Sequence, residues 1–189
     1  MTKLHLPTAG LRRRTYNLIE DKPIRLFGTA SESIVDGPGV RFVIFVQGCP
    51  HHCPGCHNPG SHDLRGGTMS STLELWNEIR RDPLLTGVTF SGGEPFLWAD
   101  ELAEIGKAAA EKGLDVMTYT GYTYEQVLEM AETDPGVKRL LTVTNYLVDG
   151  RFEEELRDLS LKYRGSSNQR ILDVTCYPNS KNAVCTKWS

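Results

Sequence analysis

The sequence predicts an α/β fold, an open partial (β/α) barrel in which a parallel sheet is flanked by helices. Short apolar runs rich in β-branched and aromatic residues alternate with segments of helical periodicity, which is typical of parallel strands joined by right-handed crossovers. The repeating units are too few to close a barrel of eight strands. A chain of 189 residues suits one domain with its own core. We expect that domain over residues 23–189, after an N-terminal extension over residues 1–22.

Each strand is predicted from a short apolar run and each helix start from its capping residues. An edge strand is expected over residues 23–28. Ser71 with Glu74, and Thr123 with Gln126, have the spacing of capping boxes and predict two helix starts. Further strands are expected over residues 40–46, 87–90, 114–119, 137–148 and 171–174.

Composition excludes several classes of protein. The chain has 21 Lys and Arg against 24 Asp and Glu, a net charge of -3, and no long block of one sign. Nucleic acid or an anionic membrane is therefore not expected as the main partner. No apolar run approaches the length of a membrane span, and residues 1–20 lack the apolar core of a signal peptide. We expect a cytoplasmic protein.

Three cysteines follow the first buried strand, at spacings of four and three residues. They are Cys49, Cys53 and Cys56, with Pro, His and Gly between them. The carboxyl ends of parallel strands are where α/β folds keep their chemistry. Thiolates this close together can converge on one metal centre. Three thiolates leave one position of a tetrahedral zinc site or of a cubane cluster open, so that a substrate can bind the metal directly.

A zinc site is the alternative that these residues leave open. The three cysteines with one of His51, His52 or His57 would form a Cys3His knot, and the protein would then be a zinc-stabilised interaction domain without catalysis. Five cysteines, three of them in one loop, favour metal ligation in a reducing compartment over a disulfide framework. Cys176 and Cys185 are too few for a second four-thiolate site and are expected to be free thiols.

A second motif, Ser91-Gly92-Gly93-Glu94-Pro95, follows the next strand. The glycines allow a close backbone approach to a ligand, and the carboxylate of Glu94 can accept a hydrogen bond from an ammonium group. Together the two motifs resemble the radical S-adenosylmethionine (SAM) family. In that family the CxxxCxxC loop carries a 4Fe-4S cluster, SAM chelates the fourth iron, and the Gly-Gly-Glu-Pro segment contacts the methionyl end of SAM.

The resemblance implies a radical SAM fold for the partial barrel and a defined set of site residues. The cluster ligands and catalytic centre would be Cys49, Cys53 and Cys56. The wider family usually has an aromatic residue before the third cysteine, near adenine, where this chain has a glycine, so His57 is expected to take over part of that contact. The residues around SAM would be Gly55, Cys56, His57, Asn58, Ser91, Gly92, Gly93, Glu94, Thr120 and Asp149.

Three further segments, residues 119–122, 147–152 and 164–169, agree in order with one subfamily. They are similar to the activating proteins of anaerobic (class III) ribonucleoside-triphosphate reductases. Pyruvate formate-lyase activating enzymes are also similar, through residues 36–41 and 56–58, and Arg41 would then lie near the mouth of the active site. A radical SAM enzyme acting on a small molecule is a further alternative.

This resemblance implies a glycyl-radical-generating activating enzyme. One electron from the reduced cluster would cleave SAM to methionine and a 5'-deoxyadenosyl radical, which would remove a hydrogen from a glycine in the partner. The implied partners are the glycyl radical subunit of the anaerobic ribonucleoside-triphosphate reductase and a reduced electron donor of the flavodoxin or ferredoxin type.

Overall fold

The computed structural model describes residues 19–188 and contains one eight-stranded sheet. Its strands are β1 (Pro23–Ser33), β2 (Arg41–Val46), β3 (Thr68–Ser71), β4 (Gly87–Gly92), β5 (Asp115–Tyr119), β6 (Tyr146–Asp149), β7 (Arg170–Asp173) and β8 (Val184–Cys185). The helices are α1 (Thr72–Ile79), α2 (Ala99–Lys112), α3 (Tyr124–Thr133) and α4 (Pro135–Val143), with short 3₁₀ helices at Pro59–Ser61, Pro95–Trp98 and Glu154–Leu156.

The centre of the sheet is parallel, as the alternating pattern predicts. β2, β4, β5 and β6 pair side by side in parallel, and antiparallel strands extend the sheet on both sides to give the order β3-β1-β2-β4-β5-β6-β7-β8. The two outermost strands, β3 and β8, do not pair with each other, so the sheet is open. The predicted fold class, an open partial barrel with flanking helices, is confirmed.

The main core lies between the helices and one face of the sheet. α2 is central to it, because it packs on β4 and β5 and also against α1 and α4. The predicted start of α1 is confirmed, since the Ser71 side chain accepts a hydrogen bond from the Glu74 N–H. The other face of the sheet carries a smaller buried cluster, which consists of Met117, Val148 and Ile171. Within residues 19–188, no helix has both the length and the apolarity needed to cross a membrane.

The strand predicted over residues 137–148 is wrong in its first half. Most of that apolar run belongs to α4, and only the last part forms β6. Asp134 caps α4 by accepting hydrogen bonds from the N–H groups of the second and third helical residues, and a proline occupies the first turn. The apolar residues recur at helical intervals and are buried on one face of α4: Val137, Leu140 and Leu141.

β1 is not an edge strand, because β3 covers its outer side. Pro23 pairs with Ser71 at one end of this ladder, and Leu26 pairs with Thr68 at the other. β3 has only four residues, two of them serines, so the sequence shows no apolar pattern that predicts it. Of the expected N-terminal extension, residues 1–18 lie outside the described part of the chain, whereas Ile19 is buried in the main core.

Arg41 lies at the start of β2, a strand length before the cysteine loop, and does not line the cavity described below. Its side chain is fully buried. It donates hydrogen bonds to the Thr89 hydroxyl and the Val88 carbonyl, each at 2.7 Å, and its guanidinium lies 2.7 Å from a carboxylate oxygen of Asp115. The arginine therefore links β2 to β4 and β5.

Candidate active site at the carboxyl ends of the parallel strands

A cavity of about 490 Å³ lies at the carboxyl ends of β2, β4 and β5. Its size is that of a site for a small molecule or cofactor. The three cysteines of the loop after β2 all line it, as do residues 91–93 at the end of β4 and residues 120–121 after β5. The structure thus brings the two sequence motifs to one cavity.

The cysteine loop is held at its base by backbone hydrogen bonds. The Gly48 N–H donates to the carbonyl of Ser61 at 2.7 Å, and the Cys49 N–H donates to the carbonyl of His62 at 3.2 Å. The Gln47 side chain donates to the carbonyls of Gly60 and Asp63 at 3.1 Å and 2.7 Å. These bonds fix where the loop leaves β2 and where it returns.

Two of the cysteine sulfurs face backbone N–H groups. Burial raises the pKa of the Cys49 thiol, and the N–H of His51 against its sulfur lowers that pKa in part. Burial likewise raises the pKa of the Cys53 thiol, and the N–H of Phe152, from the segment after β6, lowers it in part. Such N–H groups stabilise a thiolate and, in iron–sulfur proteins, help to set the cluster potential.

The third sulfur has the same kind of partner. The N–H of Asn58 donates to the sulfur of Cys56 at 3.4 Å. Backbone N–H groups therefore lie beside the sulfur of Cys56 and lower the pKa of the Cys49 and Cys53 thiols. Asn58 also lines the cavity.

These three thiols fit a 4Fe-4S cluster. A cubane cluster binds each thiolate through a different iron, so its ligands need only surround a common space. The cysteines at 49, 53 and 56 line such a space.

Gly92 and Gly93 are required by the protein's own packing. Gly92 has φ +92°, and a Cβ there would lie 2.6 Å from the Cα of Phe45. A Cβ on Gly93 would lie 2.2 Å from the carbonyl oxygen of Gly48, the residue before the first cysteine. The segment after β4 is also bonded to the cysteine loop, since the Glu94 N–H donates to that same oxygen at 2.8 Å.

Glu94 does not line the cavity and has no acceptor left for an ammonium group. Its carboxylate is fully buried. One oxygen accepts from the Phe96 N–H and the Thr120 hydroxyl, and the other from the Gly121 N–H and the His51 ring. Since a carboxylate has about four lone-pair positions, protein donors fill them all. Contact between Glu94 and SAM stays a prediction.

Asp149 is also held by protein donors, and its contact with SAM stays a prediction. Its side chain is buried and lies off the cavity wall. It accepts hydrogen bonds from the Tyr124 N–H at 2.7 Å and from the Arg170 guanidinium. The carboxylate therefore joins β6, β7 and the start of α3, and the next residue, Gly150, lines the cavity in its place.

Of the remaining predicted residues, all but Gly55 line the cavity. Ser91, Thr120 and His57 line the cavity. The His57 ring packs on Phe152 with the ring centroids 5.2 Å apart. Gly55 does not line the cavity; it has φ +66°, a conformation that glycine adopts without strain.

The structure adds cavity residues that the sequence did not assign. His51 and Gly121 line the cavity in contact with each other. Arg164 is the one Lys or Arg side chain of the described residues that lines the cavity. Its Nε is buried without a hydrogen-bond partner. The signal for His51 is its place between two cysteines, and Arg164 lies in a segment that carries the resemblance. The cysteines outside the loop, Cys176 and Cys185, are exposed and free, as expected.

Comparisons with known proteins agree with this geometry. A family model described as "4Fe-4S single cluster domain" matches residues 35–172. The anaerobic ribonucleoside-triphosphate reductase-activating protein of Salmonella typhi is 37% identical over 147 residues, which are 73% of this chain and 91% of that protein. The pyruvate formate-lyase-activating enzyme of Clostridium pasteurianum is 38% identical over 114 residues, which are 56% of this chain and 48% of that enzyme.

The solved structure of QueE from Escherichia coli overlaps in part, with a TM-score of 0.40 and 18% identity over 55% of this chain and 53% of that one. The matched domain and the near full-length relatives decide the family and favour an enzyme over a zinc-stabilised interaction domain. The chain belongs to the family of anaerobic ribonucleoside-triphosphate reductase-activating proteins, radical SAM enzymes whose cofactors are a 4Fe-4S cluster and SAM.

Proposed function

We propose that this protein is a glycyl-radical-generating activating enzyme for an anaerobic ribonucleoside-triphosphate reductase. With a 4Fe-4S cluster on Cys49, Cys53 and Cys56, one electron would cleave bound SAM to methionine and a 5'-deoxyadenosyl radical, and that radical would remove a hydrogen atom from a glycine of the reductase. The observation that carries the proposal is the presence of all three thiols on the wall of one cavity with the segment after β4.

The residues of the chain would bind and orient the two cofactors. Three cysteines leave the fourth iron of a cubane without a protein ligand, which is the position that SAM needs. The backbone of residues 91–93 lines the same cavity as the thiols and offers peptide groups to the methionyl end. Arg164 offers a cation for a carboxylate, and His57 on Phe152 offers an aromatic surface for adenine.

One wall of the cavity is held in place by side-chain hydrogen bonds. The segment after β6 and the loop around Arg164 close one side of the cavity, held together by Gln169. The Gln169 side chain accepts from the Gly165 N–H at 2.9 Å and donates to the Gly150 carbonyl at 3.0 Å. A wall fixed in this way would help to orient the bound cofactors.

The reductase is preferred over other partners because of how the relatives align. The reductase-activating relative aligns along 91% of its length, whereas the pyruvate formate-lyase-activating enzyme aligns along 48%. We further propose that residues 23–189 act as one radical SAM domain in the cytoplasm, with a flavodoxin- or ferredoxin-type electron donor and without nucleic acid or membrane as a partner. The net charge of -3 supports the last point.

The ligand assignment is tested by changing one cysteine at a time. After anaerobic cluster reconstitution, a Cys53→Ala protein should release no 5'-deoxyadenosine when dithionite and SAM are added, because a cluster ligand is missing. Cys176→Ala is the matched control, since Cys176 is exposed and does not line the cavity; it should cleave SAM like the wild type. Full cleavage by a cluster-loaded Cys53→Ala protein would contradict the proposal.

The substrate is tested by electron paramagnetic resonance. The wild-type protein with SAM and dithionite should produce a glycyl radical doublet in an anaerobic ribonucleoside-triphosphate reductase and not in a pyruvate formate-lyase. A doublet in the lyase alone would assign the protein to the other group of activating enzymes.

A further inference from the structure

His51 lies between two of the cysteines, yet its side chain is almost completely buried, with 4% of its surface exposed. The ring packs edge-on against Tyr122, with the ring centroids 4.6 Å apart. It also fills the space beside Gly121, where an added Cβ would lie 2.3 Å from a ring carbon. The turn after β5 is therefore shaped around this ring.

The ring of His51 is bonded to Glu94. The distance from Nε2 to the carboxylate oxygen is 2.8 Å, and the carboxylate is fully buried. A buried carboxylate is costly unless its oxygens are all paired. The other three donors come from the segments after β4 and β5, so His51 is the donor that brings the cysteine loop into the same network.

The backbone of the same residue faces the first cluster ligand. The backbone N–H groups of His51 and of His52 both lower the pKa of the Cys49 thiol. Glu94 also holds the loop on the other side of that cysteine, through the hydrogen bond from its N–H to the Gly48 carbonyl. Glu94 thus binds the residue before Cys49 through its backbone N–H, and it binds His51, which follows Cys49, through its side chain.

We propose that His51 is a positioning residue that holds the cysteine loop against the segment after β4, so that both the cluster potential and the affinity for SAM depend on its ring. This inference rests on the proposed function, because it requires a cluster on the cysteines and SAM in the cavity. In it Glu94 acts on the loop and not on SAM. Hydrogen bonds to cluster sulfurs set the potential, and removal of a partner that orients metal ligands typically costs about 10- to 100-fold in affinity or activity.

The experiment compares three variants with the wild type after anaerobic reconstitution. His51→Ala removes the bond to Glu94, and His51→Gln replaces it with an amide donor. His52→Asn is the matched control, because the side chain of His52 is exposed, makes no bond to Glu94, and has φ +48°, which asparagine tolerates. Iron and sulfide content, the midpoint potential of the cluster without SAM, and the Kd for SAM are measured for each protein.

His51→Ala should shift the cluster potential to more negative values, because the N–H to the Cys49 sulfur is no longer held in place, and should raise the Kd for SAM about tenfold or more. His51→Gln should restore both values towards those of the wild type, which a loss of bulk packing alone would not predict. The His52→Asn protein should match the wild type.

A loaded His51→Ala protein with wild-type potential and Kd would overturn the inference. If His51→Ala does not retain a cluster, His51→Gln decides: wild-type values support the inference, and an unloaded or shifted protein overturns it. The wild type tests the proposed function separately. If the cluster-loaded wild type releases no 5'-deoxyadenosine, the proposed function fails; if it does and His51→Ala equals it in every measurement, only the role of His51 fails.

Discussion

Replacement of Gly93 by alanine should damage the cysteine loop before it affects any ligand. The added Cβ would lie 2.2 Å from the Gly48 carbonyl oxygen, 2.8 Å from its carbon and 3.1 Å from its nitrogen. All three are backbone atoms, so no flexible side chain can move aside. The same oxygen already accepts the hydrogen bond from the Glu94 N–H at 2.8 Å.

The size of the effect follows from the displacement that the clash requires. Ordinary van der Waals contact begins at 3.4 Å, so the oxygen must move by more than 1 Å relative to the new methyl group. Overpacking of this kind costs typically about 1–3 kcal/mol. For a domain of this length that corresponds to a Tm lower by roughly 2–12 °C. Because the displaced residue precedes Cys49, the Gly93→Ala protein should also hold less iron after reconstitution.

The assay is thermal denaturation of the apoprotein, followed by iron and sulfide analysis of the reconstituted protein. Gly28→Ala in β1 is the matched control, because a Cβ at Gly28 meets no atom within 4 Å; its Tm should stay near that of the wild type. A Gly93→Ala protein with unchanged Tm and full iron content would refute the reasoning, and any loss of SAM binding would then have to come from contact with the ligand itself.

Two further predictions concern the network behind β6. Asp149→Asn removes the charge opposite Arg170 and should lower the free energy of unfolding by about 1.5–3 kcal/mol, measured by urea denaturation; an unchanged midpoint would contradict the role of Asp149 as a structural link. The hydrogen bond from Arg170 lowers the pKa of Glu125 from 4.5 to about 2. A depressed pKa stabilises the fold above pH 4.5, and this contribution is lost as the pH falls towards 2. Glu125 is largely exposed, so the effect should stay below about 1 kcal/mol. Glu125→Gln should flatten the stability loss over that pH range, and an equally steep loss in the variant would speak against the pair.

The sequence predicted those parts of the site whose place in the fold follows from residue type and from position along the chain. A buried strand followed by cysteines must place the thiols at the end of that strand, and the next strand in the parallel sheet must place residues 91–93 beside them. The strand predicted over the α4 segment was wrong because its composition and its spacing indicate different structures. Its three buried apolar residues occur at intervals that suit a helix, whereas its β-branched residues favour a strand. Asp134 and Pro135 are the helix start that decides between the two.

The roles of the two carboxylates could not be read from the sequence. Glu94 takes its ring partner from 43 residues away, and Asp149 takes its arginine from 21 residues away. A sequence pattern shows that a carboxylate follows a strand, but only the fold shows whether its oxygens face a cavity or protein donors. In both cases donors of the protein hold the carboxylate oxygens, and a neighbouring glycine, Gly93 or Gly150, lines the cavity.

The N–H of Phe152, which lowers the pKa of the Cys53 thiol, has a consequence for biosynthesis. At roughly 5–20 residues per second, a ribosome reaches Phe152 about 5–20 s after it has made the second cysteine. During that interval the cavity around the thiols of a nascent chain is incomplete, and the thiols are accessible to oxidants and to other metal ions. Insertion of iron and sulfide is therefore expected to follow release of the chain from the ribosome.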